Sequence, residues 1–210
     1  AISSYTEMLM HEMVQPQDIK GFATRIYDET KRMIALVEDI LKLSRLDERV
    51  EIHPKEDVDL YYLAHQVIDR LLPLAKAKNV ALVVSGESVK VVGDAAILFE
   101  MIYNLCENGI KYNHKTGGRV IVNCTKVDGR AVLEISDNGI GIPKQHQERI
   151  FERFYRVDKS HSRKTGGTGL GLSIVKHSVN FHDATLKLES SENVGTTVTI
   201  VFPVSGGRGK

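Results

Sequence analysis

The sequence predicts an α+β chain: a helical hairpin, then a mixed sheet that carries three helices on one face. Three observations lead there. From Ile19 to Leu43 apolar residues recur at steps of three and four, the spacing of one face of a long helix. Around Asp128-Gly129 two alternating runs, residues 119–127 and 130–136, face each other across a tight-turn dipeptide, which reads as a strand hairpin. Two glycine-rich stretches, DNGIGIP at residues 137–143 and GGTGLGL at residues 166–172, then bracket a long basic connection.

In chain order, residues 1–10 read as the end of a helix, with Ile2, Tyr5, Met8 and Leu9 on one side. The pattern breaks around residues 14–18, where Pro16 cannot sit in a helix interior. It resumes with Ile19, Phe22, Ile26, Met33, Leu36, Ile40 and Leu43, a heptad-like seam interrupted only where Glu29 takes an expected apolar place. Two antiparallel helices cannot close a core alone. Residues 1–50 are therefore expected to form a homodimer with a second copy, giving a four-helix bundle.

Residues 51–59, charged and containing Pro54, read as a linker. Residues 60–78 return to helical spacing through Leu63, Val67, Leu71 and Leu74. Residues 80–84 and 90–92 read as short strands, and residues 184–189 and 196–202 alternate as half-buried ones. A helix beginning near Asp94 sets Leu98, Met101, Ile102, Leu105 and Ile110 against the core. A last helix, opened by the second glycine stretch, carries Leu172, Ile174, Val175 and Val179. The second domain spans residues 60–204.

Composition narrows the function classes. With 28 basic and 27 acidic side chains among 210 residues, no global field draws the chain to nucleic acid or to an anionic membrane. Cys106 and Cys124 have neither metal-ligand nor disulfide-framework spacing, which suits a reducing compartment. No stretch approaches the ~18 apolar residues of a membrane span, and the first residues lack the regions of a signal peptide.

The chemistry concentrates in three places. Asn104, Asn108 and Lys111 fall at i, i+4 and i+7, so one helix face presents two amides and an ammonium. Asp137 stands at a strand end, where a carboxylate can accept from an exocyclic amine, and Gly139 and Gly141 allow close backbone approach to a flat ligand. Gly167, Gly169 and Gly171 open a helix, offering N–H groups and a positive dipole end to phosphate. Between them, residues 143–168 hold seven basic against three acidic side chains, as suits a mobile lid over phosphates. Ile150, Phe151 and Phe154 are expected to anchor that lid on apolar surface. Lys144, Lys159, Arg163 and Lys164 read as a solvated basic face.

In this order these pieces resemble the ATP-binding domain shared by DNA gyrase, certain heat-shock chaperones, mismatch-repair proteins and sensor histidine kinases, and the histidine kinases in particular. NLCENGIKY is similar to their N box, DNGIGIP to their first glycine box, FERFYR at residues 151–156 to their F box and GTGLGL to their second glycine box. The resemblance covers roughly residues 57–204 and implies a two-layer α/β sandwich that binds ATP and magnesium. It makes Asn108 the magnesium ligand, with Asn104 in support, and gives Lys111 phosphate charge to neutralise. Tyr112 would lie against ribose or base, Asp137 would accept from the adenine amine, and Ile142 would belong to the nucleotide-binding set. Arg156 would meet the γ-phosphate, while Gly167, Thr168, Gly169, Leu170 and Gly171 form the lid hinge and the phosphate-facing helix start. Hydrolysing members of that superfamily carry a glutamate four residues before the magnesium asparagine. Asn104 stands there, and an amide is no general base, so transfer to a protein nucleophile is expected instead.

Residues 1–9 and 29–47 resemble the two helices of the dimerisation and phosphotransfer module of the same kinases. That alignment puts the acceptor histidine, followed by an acid and a proline, about eight residues before Ala1. His11-Glu12 with Pro16 mimics the motif, yet Ser44 lies only 33 positions after His11, too few for most of one helix, a turn and the second helix. His11 is read as a loop histidine, and His177 and His182 as surface or core residues. Asp183, standing where the family often has glycine, is expected to keep a left-handed turn. The resemblance implies a cytoplasmic histidine kinase core that dimerises, transfers the ATP γ-phosphoryl to a histidine outside this chain and then supplies a response regulator. The alternative is a catalytically silent module that dimerises, binds nucleotide or docks a regulator.

Overall fold

The computed structural model describes residues 2–47, 55–114, 116–157 and 167–204, apart from the side chains of residues 45–47. Helix α1 (Ile2–Met10) stops at Glu12, whose φ of 54° is left-handed. The chain turns and returns as α2 (Ile19–Asp47), a 29-residue helix. Tyr5 meets Phe22 edge-on at 5.6 Å, and the Arg25 guanidinium lies over both rings. This is the expected hairpin, with exposed His11 in its turn. Much of the seam is not sealed in a single chain: Ile19, Met33 and Ile40 are exposed, Met33 at 56%, while Phe22, Ile26 and Leu36 are half-buried. Leu43, assigned by spacing to the dimer seam, is 3% exposed and packs instead on Leu170 and Ile174 of the second domain.

That domain opens with β1 (Glu56–Asp59), antiparallel to β3 (Lys90–Gly93). The sequence reads residues 56–59 as the end of a linker and β3 as part of the main sheet. Instead the two strands form their own ribbon, because Val58, Val89 and Val91 have an apolar cluster to bury themselves in. Asp59 caps α3 (Leu60–Lys78) by accepting from the N–H groups of Tyr61 and Tyr62. Strands β2 (Val80–Gly86), β4 (Gly118–Val127), β5 (Arg130–Asp137), β7 (Gly195–Val201) and β6 (Thr185–Ser191) form a five-stranded sheet in that spatial order. Only β2 and β4 run parallel, so the sheet is mixed.

The register puts Val120, Val122, Leu133, Ile135, Val198 and Ile200 on one face. Helices α3, α4 (Ala95–Lys111) and α5 (Gly171–Phe181) cover that face with Val67, Leu71, Leu98, Met101, Ile102, Val175 and Val179. The expected sheet with three helices is present. Among the described residues the chain has five α-helices, and the hairpin supplies two of them.

His182, read as a surface or core residue, is buried just after α5 and ties that helix to the start of α4. Its Nε2 accepts from the Asp94 N–H at 3.1 Å, and its Nδ1 lies 2.8 Å from the Ser178 carbonyl oxygen. Burial, first of all, holds its pKa below the ordinary value, so the ring stays neutral. Asp183 has φ 53°, the left-handed turn expected of it.

Candidate functional site

Helix α4 is fixed at its start by Asp94, whose Oδ1 accepts from the N–H groups of Ala96 and Ile97. Its apolar face points into the core, which leaves Asn104, Asn108 and Lys111 half-buried on the other side. Asn104 donates from Nδ2 to the Glu100 carbonyl at 2.9 Å. Its Oδ1 faces α5: a Cβ at Gly171 would sit 2.8 Å from that oxygen. Lys111 Nζ pairs with Glu107 Oε2, one turn earlier on the helix, at 2.7 Å, so the expected phosphate-binding lysine already has an acidic partner. Asn108 has no side-chain hydrogen bond among the described residues.

Asp137 ends β5 beside this helix. A Cβ at Gly109 would meet Asp137 Cβ at 3.3 Å, so the helix and the strand end touch there. Its Oδ1 accepts from the Gly139 N–H at 2.8 Å. Burial pushes the carboxyl above its ordinary range, partly offset by the N–H groups of Gly139 and Thr196. The Ile140 N–H donates to the Tyr112 carbonyl at 3.1 Å, which stitches the first glycine-rich turn to the end of α4. Gly141 takes φ 64°, and any Cβ there would collide with the Ser191 carbonyl. Ile142 donates from its N–H to Ser190 Oγ at 2.9 Å. Gln147 Nε2 donates to the carbonyls of Ile142 and Ser190 at 2.8 and 3.0 Å.

A cleft of about 200 Å³ beside Asp137 is lined by Ser190, Gly195 and Thr196 among others. Sequence reasoning passed over Ser190, Thr196 and Gln147. The one local signal was Gly195-Thr196 opening an alternating run directly opposite Asp137, a pairing that only the register reveals.

Beyond the first turn, a 3₁₀ turn (Lys144–His146) leads into the FERFYR stretch. His146 Nδ1 and Tyr155 Oη are 2.6 Å apart, and Arg149 lies over the Tyr155 ring at 4.4 Å. Ile150 is buried, as expected. Phe154 is not an anchor. It is 56% exposed, because its φ of 63° turns the side chain outward while its N–H donates to the Gly169 carbonyl at 3.0 Å. Gly169, at φ 79°, lets the Phe154 backbone come this close. The two ends of the connection are thus clipped together. The central part of the expected lid, with Lys159, Arg163 and Lys164, lies outside the described residues.

Tyr112, Arg156 and Gly167 converge. A Cβ at Gly167 would lie 3.7 Å from Tyr112 Oη and 3.9 Å from Arg156 Nη2. Thr168 Oγ1 donates to Asp39 Oδ2 of α2 at 2.7 Å and accepts from the Leu170 N–H at 3.2 Å. Leu170 is buried. Segments far apart in sequence therefore set amides, a lysine, an arginine and a half-buried carboxylate around one glycine-lined region, the donor set suited to a phosphorylated ligand with an amine-bearing base. The two cysteines take no part: both are buried, and burial pushes each thiol up to about 12.

Residues 93–206 match the family described as histidine kinase-, DNA gyrase B-, and HSP90-like ATPase. The sensor-like histidine kinase SenX3 of Mycolicibacterium smegmatis is 34% identical over 204 residues, which are 97% of this chain and 53% of that protein. A solved structure of the mycobacterial sensor histidine kinase MprB is 32% identical at a TM-score of 0.61, covering 71% of this chain and 97% of that one. The Acinetobacter baumannii histidine kinase AdeS, at 18% identity, shares the fold over 98% of this chain and 94% of its own, with a TM-score of 0.78. The chain spans about half the length of the curated SenX3 relatives it matches. Among the described residues no helix is long and apolar enough to cross a membrane.

Proposed function

Because the chain belongs to the histidine kinase-, DNA gyrase B-, and HSP90-like ATPase family, we propose that it is the kinase core of a two-component sensor, moving the γ-phosphoryl of ATP to a histidine. The observation that carries this reading is the convergence of the Asn104–Asn108 face, Asp137, Arg156 and the second glycine-rich turn on one region. Asp137 accepts from the adenine amine, and its carboxylate would repel the carbonyl oxygen that guanine carries there. Tyr112 lies against ribose or base, and Ile142 belongs to the nucleotide-binding turn.

Asn108 suits magnesium. Its amide oxygen is a hard donor, half-buried and engaged by no hydrogen bond among the described residues. Bound there with Asn104 in support, magnesium would neutralise charge on the phosphates. Lys111 takes part of the same charge when it turns from Glu107. Arg156 stabilises the transferred group as the acceptor nitrogen forms its bond to phosphorus and the bond to the bridging oxygen breaks, releasing ADP. With an amide at position 104, water has no base there, so transfer prevails over hydrolysis.

The exposed seam of α2 supports a homodimer built through a four-helix bundle. We place dimerisation in residues 1–50, ATP binding in residues 60–204 with strand β1 (Glu56–Asp59) joined to it, and the lid in residues 143–168. The phosphohistidine would then supply an aspartate of a response regulator, and the setting is cytoplasmic.

The test is incubation with γ-labelled ATP and magnesium, alone and mixed with a chain extended upstream through a histidine and carrying Asn108→Ala. Label on the extended chain alone is expected. Label on the short chain that disappears with His11→Ala would make His11 the acceptor. No label anywhere despite tight ATP binding would leave a silent module.

A further inference from the structure

Helix α2 reaches the second domain around its second glycine-rich turn through three contacts of different kinds. Asp39 Oδ2 accepts from Thr168 Oγ1 at 2.7 Å. One turn on, Lys42 Nζ pairs with Glu100 Oε1 of α4 at 2.9 Å. Leu43, with Leu36 beside it, packs on Leu170 and Ile174. The apolar contact and the ion pair hold α2 against the nucleotide-binding elements, and they aim one carboxylate at a turn that the proposed function gives to phosphate.

Two negative groups do not share such a place cheaply. Asp39 already feels Glu100 and Glu107, and burial raises its pKa above the ordinary carboxylate value, against the Thr168 bond and Lys42. The carboxylate gives up hydration to dock, which makes its contact one that a ligand can displace. We propose that Asp39 belongs to the nucleotide site as a competitor: its carboxylate occupies the Thr168 hydroxyl in place of phosphate, so docking of α2 and binding of a nucleoside triphosphate oppose each other. The inference rests on the reading of residues 167–171 as phosphate-facing. Opposition is reciprocal, so ATP loosens α2 by the factor by which docked α2 weakens ATP. Nucleotide occupancy would thereby free the catalytic domain from its own helix.

The test uses the full chain and Mg-ATP, with adenosine as the phosphate-free control. Asp39→Asn and Asp39→Ala should each bind ATP about fivefold more tightly or better, while adenosine affinity stays within about twofold. In the unaltered chain, amide hydrogen exchange across residues 36–44 should quicken with Mg-ATP and not with adenosine. Unchanged or weaker ATP binding in both variants, or slower exchange on adding ATP, would overturn the competition. ATP binding by none of the proteins would overturn the nucleotide reading along with it, whereas tight binding without the Asp39 effect removes only this inference.

Discussion

The hairpin helix α2 and the domain helix α4 carry apolar residues at the same steps of three and four, yet only α4 finds its cover within the chain. Leu98, Met101 and Ile102 are sealed against the sheet. On α2, Met33, Val37, Ile40 and Leu41 stay exposed, and among its described side chains Leu43 is the buried apolar one. Amphipathic spacing states that a face needs cover; it does not say what supplies it. For α4 the cover is a sheet whose register presents one continuous apolar face, and the opposite side of the helix is left free for chemistry.

The sharpest way to break this contrast is to remove matched apolar bulk from each helix. Ile102→Ala should lower unfolding stability by about 3 kcal/mol in urea titrations. Met33→Ala should shift it by no more than about 0.5 kcal/mol at low protein concentration, its cost emerging only where a second copy covers the seam. Equal losses in dilute solution would contradict the assignment of the two faces.

Next in size, Asn108→Ala on the polar side of α4 should cut labelled-phosphate transfer by about a hundredfold, with the thermal midpoint essentially unchanged. Gly141→Ala combines a left-handed φ with a collision at the Ser191 carbonyl. It should cost about 2 kcal/mol and loosen ATP binding, read by calorimetry.

The smallest effect is a pH dependence. Burial holds His182 below its ordinary 6.5, so the unfolded chain takes up the proton first as the pH falls. Stability from this group is complete above the unfolded value and is lost as the pH drops through it towards the folded one. Urea midpoints between about pH 8 and about pH 5 should therefore fall more steeply for the unaltered chain than for His182→Gln, by about 1 kcal/mol over the range. Parallel curves would remove His182 from the link between α4 and α5.

Much of the domain was legible because its signals are local. The spacing of Asn104, Asn108 and Lys111, the Asp128-Gly129 turn and the glycines around Asp137 each act within a few residues, where backbone geometry fixes the outcome. What escaped depends on distant pairing. The ribbon β1 is four residues with Val58 alone buried, too short to show alternation. Ser190 and Gln147 join the first glycine-rich turn only because β6 and β7 deliver their turn to it. Phe154 looks like an anchor by composition, but the hydrogen bond to Gly169 sets its backbone and sends the ring outward. Leu43 continues the seam by number, and whether it meets a second copy or α5 is decided by how the hairpin sits on the domain. The chemistry was readable mainly from the order of four short motifs, since each alone fits an ordinary turn or helix.

The most direct measurement is calorimetry of ATP against GTP, both with magnesium, on the unaltered chain and on Asp137→Asn. A half-buried carboxylate that accepts from an exocyclic amine should favour ATP by more than about tenfold, and the amide should narrow that preference while Asn108 and Arg156 still hold the phosphates. Equal affinity for the two nucleotides in the unaltered chain would contradict the assignment of Asp137, and with it the claim that the helix face and the glycine-rich turns form one adenine nucleotide site.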